Sequence, residues 1–282
     1  MREILLWATV ILSEAAVPSP RLDAEVLLAQ VLDWKRAQLY ARPEQMLSTA
    51  QREALAAAVE RRRQHEPVPY ITGHREFFGL DFFVDRRVLI PRPETELLVE
   101  RALEAARETV WAAQRLSIAD VGTGSGIVAI SLAVNLSQAT IYALDSSVAA
   151  LQVAARNVAQ HGVLDQVHLL PGDLLEPLPE PVHIIVANLP YVPTVLLSTL
   201  ERDVAEYEPP SALDGGPDGL MHIRRLLNEA PDWLAPHGVI LLEIGAGQGN
   251  LVGKLASESF PFARVEQFQD YAGLDRIIRI WT

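Results

Sequence analysis

Ser117-Ile118-Ala119-Asp120-Val121-Gly122-Thr123-Gly124-Ser125-Gly126-Ile127 is the stretch whose reading decides the fold. Ser117–Asp120 reads as a short strand, and helical spacing follows as far as Asn135, so three alternating glycines stand at a strand-to-helix corner. Such a corner sets backbone N–H groups and a helix N-terminus beside any ligand held there, and glycine lets the main chain approach it closely. Ile127 takes the place that a G-x-G-x-x-G dinucleotide fingerprint gives to glycine, and no Lys-Ser/Thr follows to make a P-loop. A nicotinamide oxidoreductase therefore lacks its signature.

Towards the C-terminus the alternation continues. Strand-like runs at Thr140–Leu144, Val167–Leu169, His183–Ala187 and Val239–Glu243 are interleaved with helix-like ones at Val148–Gln160 and from about Gly219, which predicts a mostly parallel α/β sheet. Ala263–Phe268 and Arg276–Trp281 are joined by a loop too short for a crossover helix, which predicts an antiparallel pair. Towards the N-terminus the period changes. Phe77–Val84 predicts two short aromatic strands about Gly79, and a helix is expected from near Thr95. Residues before about 65 read as helical, with Ser19-Pro20 and the capping box Ser48-Thr-Ala-Gln51 as starts and Arg61-Arg62-Arg63 at a C-terminal end. Pro67 and Pro69 are expected to stop the helices. The division predicted is a domain of three or four helices over residues 1–70, a β-hairpin linker over 71–92 and an α/β domain over 93–282.

Composition narrows the function. The 282 residues are 49% hydrophobic and 21% charged, so the chain can bury a core without disulfides. With no cysteine, thiolate nucleophiles and Cys-based metal sites drop out, and the seven histidines include no His-x-x-x-His pair, so no metal is expected. The net charge is -12, and residues 1–70 balance nine basic against nine acidic groups, so the excess acid lies beyond them. That balance disfavours a long phosphate backbone as partner. Without an apolar run of about 18 residues or a cleavable leader, a cytoplasmic protein apart from membranes is expected.

Four segments converge on the carboxyl edge of the sheet. Asp145, 23 residues after Gly122, ends the next strand, where a carboxylate accepts hydrogen bonds from both hydroxyls of a ribose or serves as a turn and helix-cap acid. Asp173 and Leu174, after Gly172, suit a purine ring or a plain turn. Asn188-Leu189-Pro190-Tyr191 follows the strand ending at Ala187. The Asn188 side-chain oxygen and the Leu189 carbonyl can accept the two hydrogens of a planar –NH₂ group, Pro190 fixes the turn and Tyr191 offers an aromatic wall. Glu243-Ile-Gly245-Ala-Gly247-Gln-Gly249 repeats the acidic-x-G-x-G-x-G form, but only 33 residues follow Gly249, too few for further β-α units, so a plain helix-start corner is expected. His74, His161, His168 and His222 have no partners at triad or ligand spacing and are expected to pack.

Asp120–Gly126, Asp145 and Asn188–Tyr191 together resemble the class I S-adenosylmethionine-dependent methyltransferases that modify planar amino or amide nitrogens. The flanking segments Pro69-Tyr-Ile-Thr-Gly73, Phe77-Phe-Gly-Leu, Val88-Leu-Ile-Pro-Arg-Pro-Glu-Thr-Glu96, Tyr207-Glu-Pro-Pro210, Ala212-Leu-Asp-Gly-Gly216 and Asp218-Gly-Leu220 resemble the HemK/PrmC family of peptide chain release factor glutamine N5-methyltransferases, in order and over nearly the whole chain. The resemblance implies a class I, Rossmann-like methyltransferase sheet carrying an N-terminal helical domain and a β-hairpin linker. It implies S-adenosyl-L-methionine as cofactor, held by Asp120, Gly122, Thr123, Gly124, Ser125 and Gly126 at the methionine part, Asp145 at the ribose and Asp173 or Leu174 at the adenine. Asn188, Leu189, Pro190 and Tyr191 would hold the acceptor amide, with Asn188 touching cofactor as well. The implied substrate is the Gly-Gly-Gln glutamine of a release factor, gripped elsewhere by the front domain and hairpin, with the enzyme a monomer and no nucleic acid bound. One departure stands out. Leu189 replaces the usual proline, and Asn-Leu-Pro-Tyr is also the form of ribosomal RNA adenine N6-dimethyltransferases, so adenine N6-methylation of RNA or DNA is the alternative. Domain order and acidic charge speak against it.

Overall fold

In the computed structural model, which describes residues 1–108 and 116–282, the chain separates into two units. One holds Met1–His74 together with Glu201–Tyr207, the other Arg75–Leu200 together with Glu208–Thr282.

The first unit is helical: α1 (Arg2–Glu14), α2 (Pro20–Leu32), α3 (Arg36–Ala41), α4 (Thr49–Arg63) and α5 (Val68–Thr72). Leu5, Ala8 and Leu12 follow helical spacing on α1 and bury against Leu27, Leu28, Leu55 and Val59. The Ser48 capping box forms as expected, with Gln51 N donating to Ser48 Oγ at 3.2 Å and Ser48 N donating to Gln51 Oε1 at 2.9 Å. Pro67 and Pro69 do not end helical structure. They flank the first position of α5, where a missing N–H is no loss, and Gly73 closes that helix in the left-handed region.

A segment remote in sequence completes this unit. The buried Arg62 donates from Nε to Asp23 Oδ2 and from Nη1 to Asp203 Oδ2, both at 2.7 Å, and from Nη1 to the Glu66 carbonyl at 3.1 Å. Asp203 belongs to a short helix (Arg202–Tyr207) whose Tyr207 hydroxyl also donates to the Gln64 carbonyl at 2.6 Å.

The chain enters the second unit at Arg75, within the first of two strands, β1 (His74–Phe77) and β2 (Leu80–Phe83); Phe78 and Gly79 between them both have positive φ, the backbone of a two-residue hairpin turn. Then come α6 (Thr95–Glu108), β3 (Ser117–Val121), α7 (Ile127–Asn135), β4 (Thr140–Asp145), α8 (Val148–Gln160), β5 (Val167–Pro171) and β6 (Val182–Ala187). After the Arg202–Tyr207 helix, α9, the chain forms α10 (Met221–Trp233), β7 (Leu234–Glu243), α11 (Gly249–Ser259), β8 (Arg264–Gln269) and β9 (Asp275–Trp281). The seven-stranded sheet runs β5-β4-β3-β6-β7-β9-β8; β9 is antiparallel to both its neighbours and the other pairings are parallel.

The strands are apolar on both faces, as a sheet covered on two sides requires. Ile118, Ile184 and Leu241 bury on one face, and Val121, Ile185 and Ile240 on the other. β3 lies between β4 and β6, so consecutive connections leave it in opposite directions and open a crevice at its carboxyl end. Among the described residues no helix is long and apolar enough to cross a membrane.

Candidate active site

That crevice is a cavity lined by Gly122–Ser125 after β3, Asp145 at the end of β4, Gly172–Leu174 after β5 and Asn188–Pro190 after β6. Asp120 reaches it from β3. Of the residues singled out in the sequence, Gly126 and Tyr191 do not line it. Gly126 lies behind the loop, where a Cβ would come within 3.1 Å of Ile130 Cδ1 and 3.3 Å of Ala154 Cβ, and its φ of +82° favours glycine.

The loop after β3 is braced from within. Asp120 Oδ2 accepts from Thr123 Oγ1 at 2.6 Å and from Ala129 N at 3.0 Å, which ties the strand end to the first turn of α7. Burial pushes the Asp120 carboxyl up to about 6, against the pull of these two donors. The Leu189 side chain packs on this loop: a Cβ on Gly122 would stand 3.2 Å from Leu189 Cδ2, so the glycine makes room for the leucine.

Asp145 holds the next edge. Its Oδ2 accepts from Gly124 N and its Oδ1 from Ser147 N, both at 2.8 Å, so each oxygen keeps a lone pair for a ligand. Burial raises its pKa, and these two backbone bonds oppose the rise. Ser147, not Asp145, caps α8, accepting from Ala150 N at 3.1 Å. Asp173 turns its carboxylate to Arg225, 2.6 Å away, while the buried Leu174 holds a φ of +46°.

Asn188 Nδ2 donates to Thr95 Oγ1 at 3.1 Å. Thr95 opens α6, and the Pro91-Arg92 segment before it also lines the cavity. Glu208, itself buried, pins that segment by accepting from Ile90 N at 3.1 Å and from Arg92 Nη2 at 2.5 Å. The Tyr191 ring packs towards Gly245, with Cδ2 3.3 Å from where a Cβ would be, and its carbonyl accepts from Gln248 Nε2 at 3.1 Å. Burial and the nearby Glu243 push its hydroxyl up to about 12.

Three contributors escape a linear reading. His222 was expected to pack but lines the cavity. Thr95 and Glu208 stand in quoted segments whose partners lie far along the chain, so spacing gives no sign of their bonds.

The release factor glutamine methyltransferase of Moorella thermoacetica is 44% identical over 277 residues, covering 98% of this chain and 96% of that protein. The chain belongs to the release factor glutamine methyltransferase family. A release factor glutamine methyltransferase from Geobacter sulfurreducens is 39% identical over 99% of this chain and 95% of its own. The family model for the PrmC N-terminal domain matches residues 3–73, and that for ribosomal protein L11 methyltransferase (PrmA) matches residues 95–206. The fold is that of class I S-adenosylmethionine-dependent methyltransferases. The hMettl16 catalytic domain, solved in complex with MAT2A 3′UTR hairpin 6, superposes with a TM-score of 0.56 at 16% identity, over 76% of this chain and 80% of that one. At that identity the likeness speaks of fold alone. For a release factor glutamine methyltransferase, the expected α/β sheet is thus in place, and the acidic-x-G-x-G-x-G repeat at Glu243 adjoins Tyr191.

Proposed function

We propose that this protein transfers the methyl group of S-adenosyl-L-methionine to the side-chain amide nitrogen, N5, of the glutamine in the Gly-Gly-Gln motif of a peptide chain release factor, acting as a cytoplasmic monomer. The observation that carries this reading is one cavity shared by the glycine loop, the Asp145 carboxylate and Asn188-Leu189-Pro190.

The residues present suit the cofactor. The Asp145 oxygens, each with one N–H already bound, match the two hydroxyls of a ribose. Gly122–Ser125 offer backbone to the methionine portion, and Leu174 an apolar surface to the adenine. S-adenosylmethionine supplies an electrophilic methyl group on a sulfonium sulfur.

The chain's task is to present a poor nucleophile. An amide lone pair is delocalised into its carbonyl, so it must be aimed at the methyl carbon. Asn188 Oδ1 and the Leu189 carbonyl accept the two N–H bonds, fixing the plane of the –NH₂ group and favouring a more pyramidal, electron-rich nitrogen. As the N–C bond forms, the methyl–sulfur bond would break with its electron pair left on sulfur, and the surplus proton on the nitrogen would pass to solvent as the product leaves. Orientation of this kind contributes up to about 7–11 kcal/mol in ideal cases. Tyr191, its ring turned towards Gly245 just outside the cavity, backs the acceptor side.

Mass spectrometry of a purified release factor incubated with the protein and S-adenosylmethionine tests the reading, with a structured RNA in parallel. A gain of one CH₂ on the Gly-Gly-Gln peptide is expected. Methylated adenine in the RNA beside an unmodified factor overturns it.

A further inference from the structure

Glu243 is a buried acid that the methyl transfer just described does not use. It ends β7 in register with Ile277 of β9, is 1% exposed, and its Oε2 has no hydrogen-bond partner among the described residues. Leaving a buried carboxylate oxygen bare is costly, so it calls for an explanation. The groups around it come from every neighbouring element. Thr95 and Glu94 stand at the start of α6, Asn188 and Tyr191 after β6, and Arg276 on β9, with Arg92 facing Tyr191. Thr95 and Asn188 stand close enough to the Glu243 carboxyl to favour its charged form, and Asn188 Nδ2 donates to Thr95 Oγ1 at 3.1 Å.

The two ends of an asparagine amide are nearly the same shape but opposite in hydrogen-bonding sense, so its neighbours must set its orientation. A hydroxyl has one proton to give. An ionised carboxylate only accepts, so beside Glu243 the Thr95 proton is drawn towards the carboxylate, which leaves Thr95 Oγ1 as the acceptor it is seen to be for Asn188. Asn188 must therefore turn Nδ2 inward and Oδ1 outward.

We propose that Glu243, acting through Thr95, is a positioning residue that fixes Asn188 with Oδ1 towards the acceptor, so that the site takes a nitrogen bearing hydrogens and rejects a carboxylate. The inference rests on the glutamine reading above. It also makes selectivity depend on pH. Burial, with Glu94 adding and Thr95, Arg276 and Asn188 opposing, pushes Glu243 up to about 7. Below that pH it carries a proton and becomes a donor, and the Thr95–Asn188 pair is released to reverse.

The test measures binding of a Gly-Gly-Gln peptide and its Gly-Gly-Glu counterpart to the full chain with S-adenosylhomocysteine, at about pH 8 and about pH 6. The variants are Glu243→Gln, Thr95→Val and Thr95→Ser. At the higher pH the preference for glutamine over glutamate falls about tenfold or more in Glu243→Gln and Thr95→Val and survives in Thr95→Ser. The wild-type preference shrinks on acidification, whereas that of Glu243→Gln stays level. Turnover follows the same order, with kcat lowered and the KM for S-adenosylmethionine unchanged. A purely structural role weakens both peptides together and leaves the ratio intact. Full preference and full pH dependence in Glu243→Gln overturn the inference; if that variant does not fold, equal preference in Thr95→Val and Thr95→Ser overturns it. A wild type that binds neither peptide overturns the glutamine reading instead, and is distinguishable because no ratio then exists to lose.

Discussion

Two loops of this molecule share the pattern acidic-x-G-x-G-x-G and end up with opposite duties. In Asp120–Gly126 the carboxylate is spent on its own loop, holding Thr123 and Ala129, and the glycines open the backbone to a cavity. In Glu243–Gly249 the loop is closed by its own Gln248, whose Oε1 accepts from Gly245 N at 2.8 Å and whose Nε2 donates to the carbonyls of Tyr191 and Gly219. Its carboxylate is left short of partners beside Asn188. Glycine spacing therefore tells where the chain turns at the sheet edge. Which groups remain unsatisfied tells where each loop acts.

The largest expected effect separates the acceptor side from the cofactor side. Asn188→Ala abolishes transfer in a single-turnover assay while S-adenosylmethionine affinity, read by calorimetry, stays within a few-fold; an equal loss of cofactor affinity would break the division. Next, Gly126→Ala places a Cβ 3.1 Å from Ile130 and forces an alanine to φ of +82°, at a cost of roughly 2–5 kcal/mol in urea unfolding. Gly247→Ala has nearly the same φ, +83°, but open space around it among the described residues, and should lose only about 1–2 kcal/mol. Similar losses in both would show that the two loops differ less than their surroundings suggest.

The pH dependence of stability sharpens the contrast between the carboxylates. Glu243 has its folded pKa raised from 4.5 to about 7, so the protonated group favours the native state. Its contribution is fully present below pH 4.5 and is lost as pH rises through about 7. Wild type should therefore lose about 3 kcal/mol relative to Glu243→Gln across that window, measured by unfolding at several pH values. A constant difference would mean that the carboxyl ionises freely when folded. Asp145→Ala is expected to weaken S-adenosylmethionine binding by about 1–3 kcal/mol, since on the proposed reading the ribose hydroxyls, with the Gly124 and Ser147 N–H groups, lose an acceptor. Unchanged affinity would reduce Asp145 to a brace between Gly124 and Ser147.

Most of the fold is legible because its signals are local. The glycine corner after β3 and the Ser48 capping box each span a few residues, and the strand-helix alternation shows in the hydrophobic period of each segment. What escaped depends on pairs distant in sequence. Nothing in Ile90, Arg92 and Glu208 separately announces that a single buried carboxylate gathers the first two. The same holds for Arg62 and Asp203. Pro69 was misleading for a different reason: proline forbids the middle of a helix but not its first turn, and only the position of the preceding helix end distinguishes the two. At the site, spacing brings the glycine loop, Asp145 and Asn188 to one sheet edge, where they line one cavity, whereas Glu243 reads as an ordinary corner because pattern is blind to whether a carboxylate finds its partners.

The short helix α9 gives the chain an unusual topology. Because Glu201–Tyr207 is counted with the N-terminal helices while Leu200 and Glu208 are not, the polypeptide passes from one unit to the other three times, at residues 74–75, 200–201 and 207–208. A single cut after His74 therefore does not yield two self-sufficient pieces. A fragment beginning at Arg75 would keep Asp203 but lose Arg62, the cation that holds it. The helical front is thus a module completed from within the sequence of its neighbour, and transplanting either one into another protein means moving both ends of that bond.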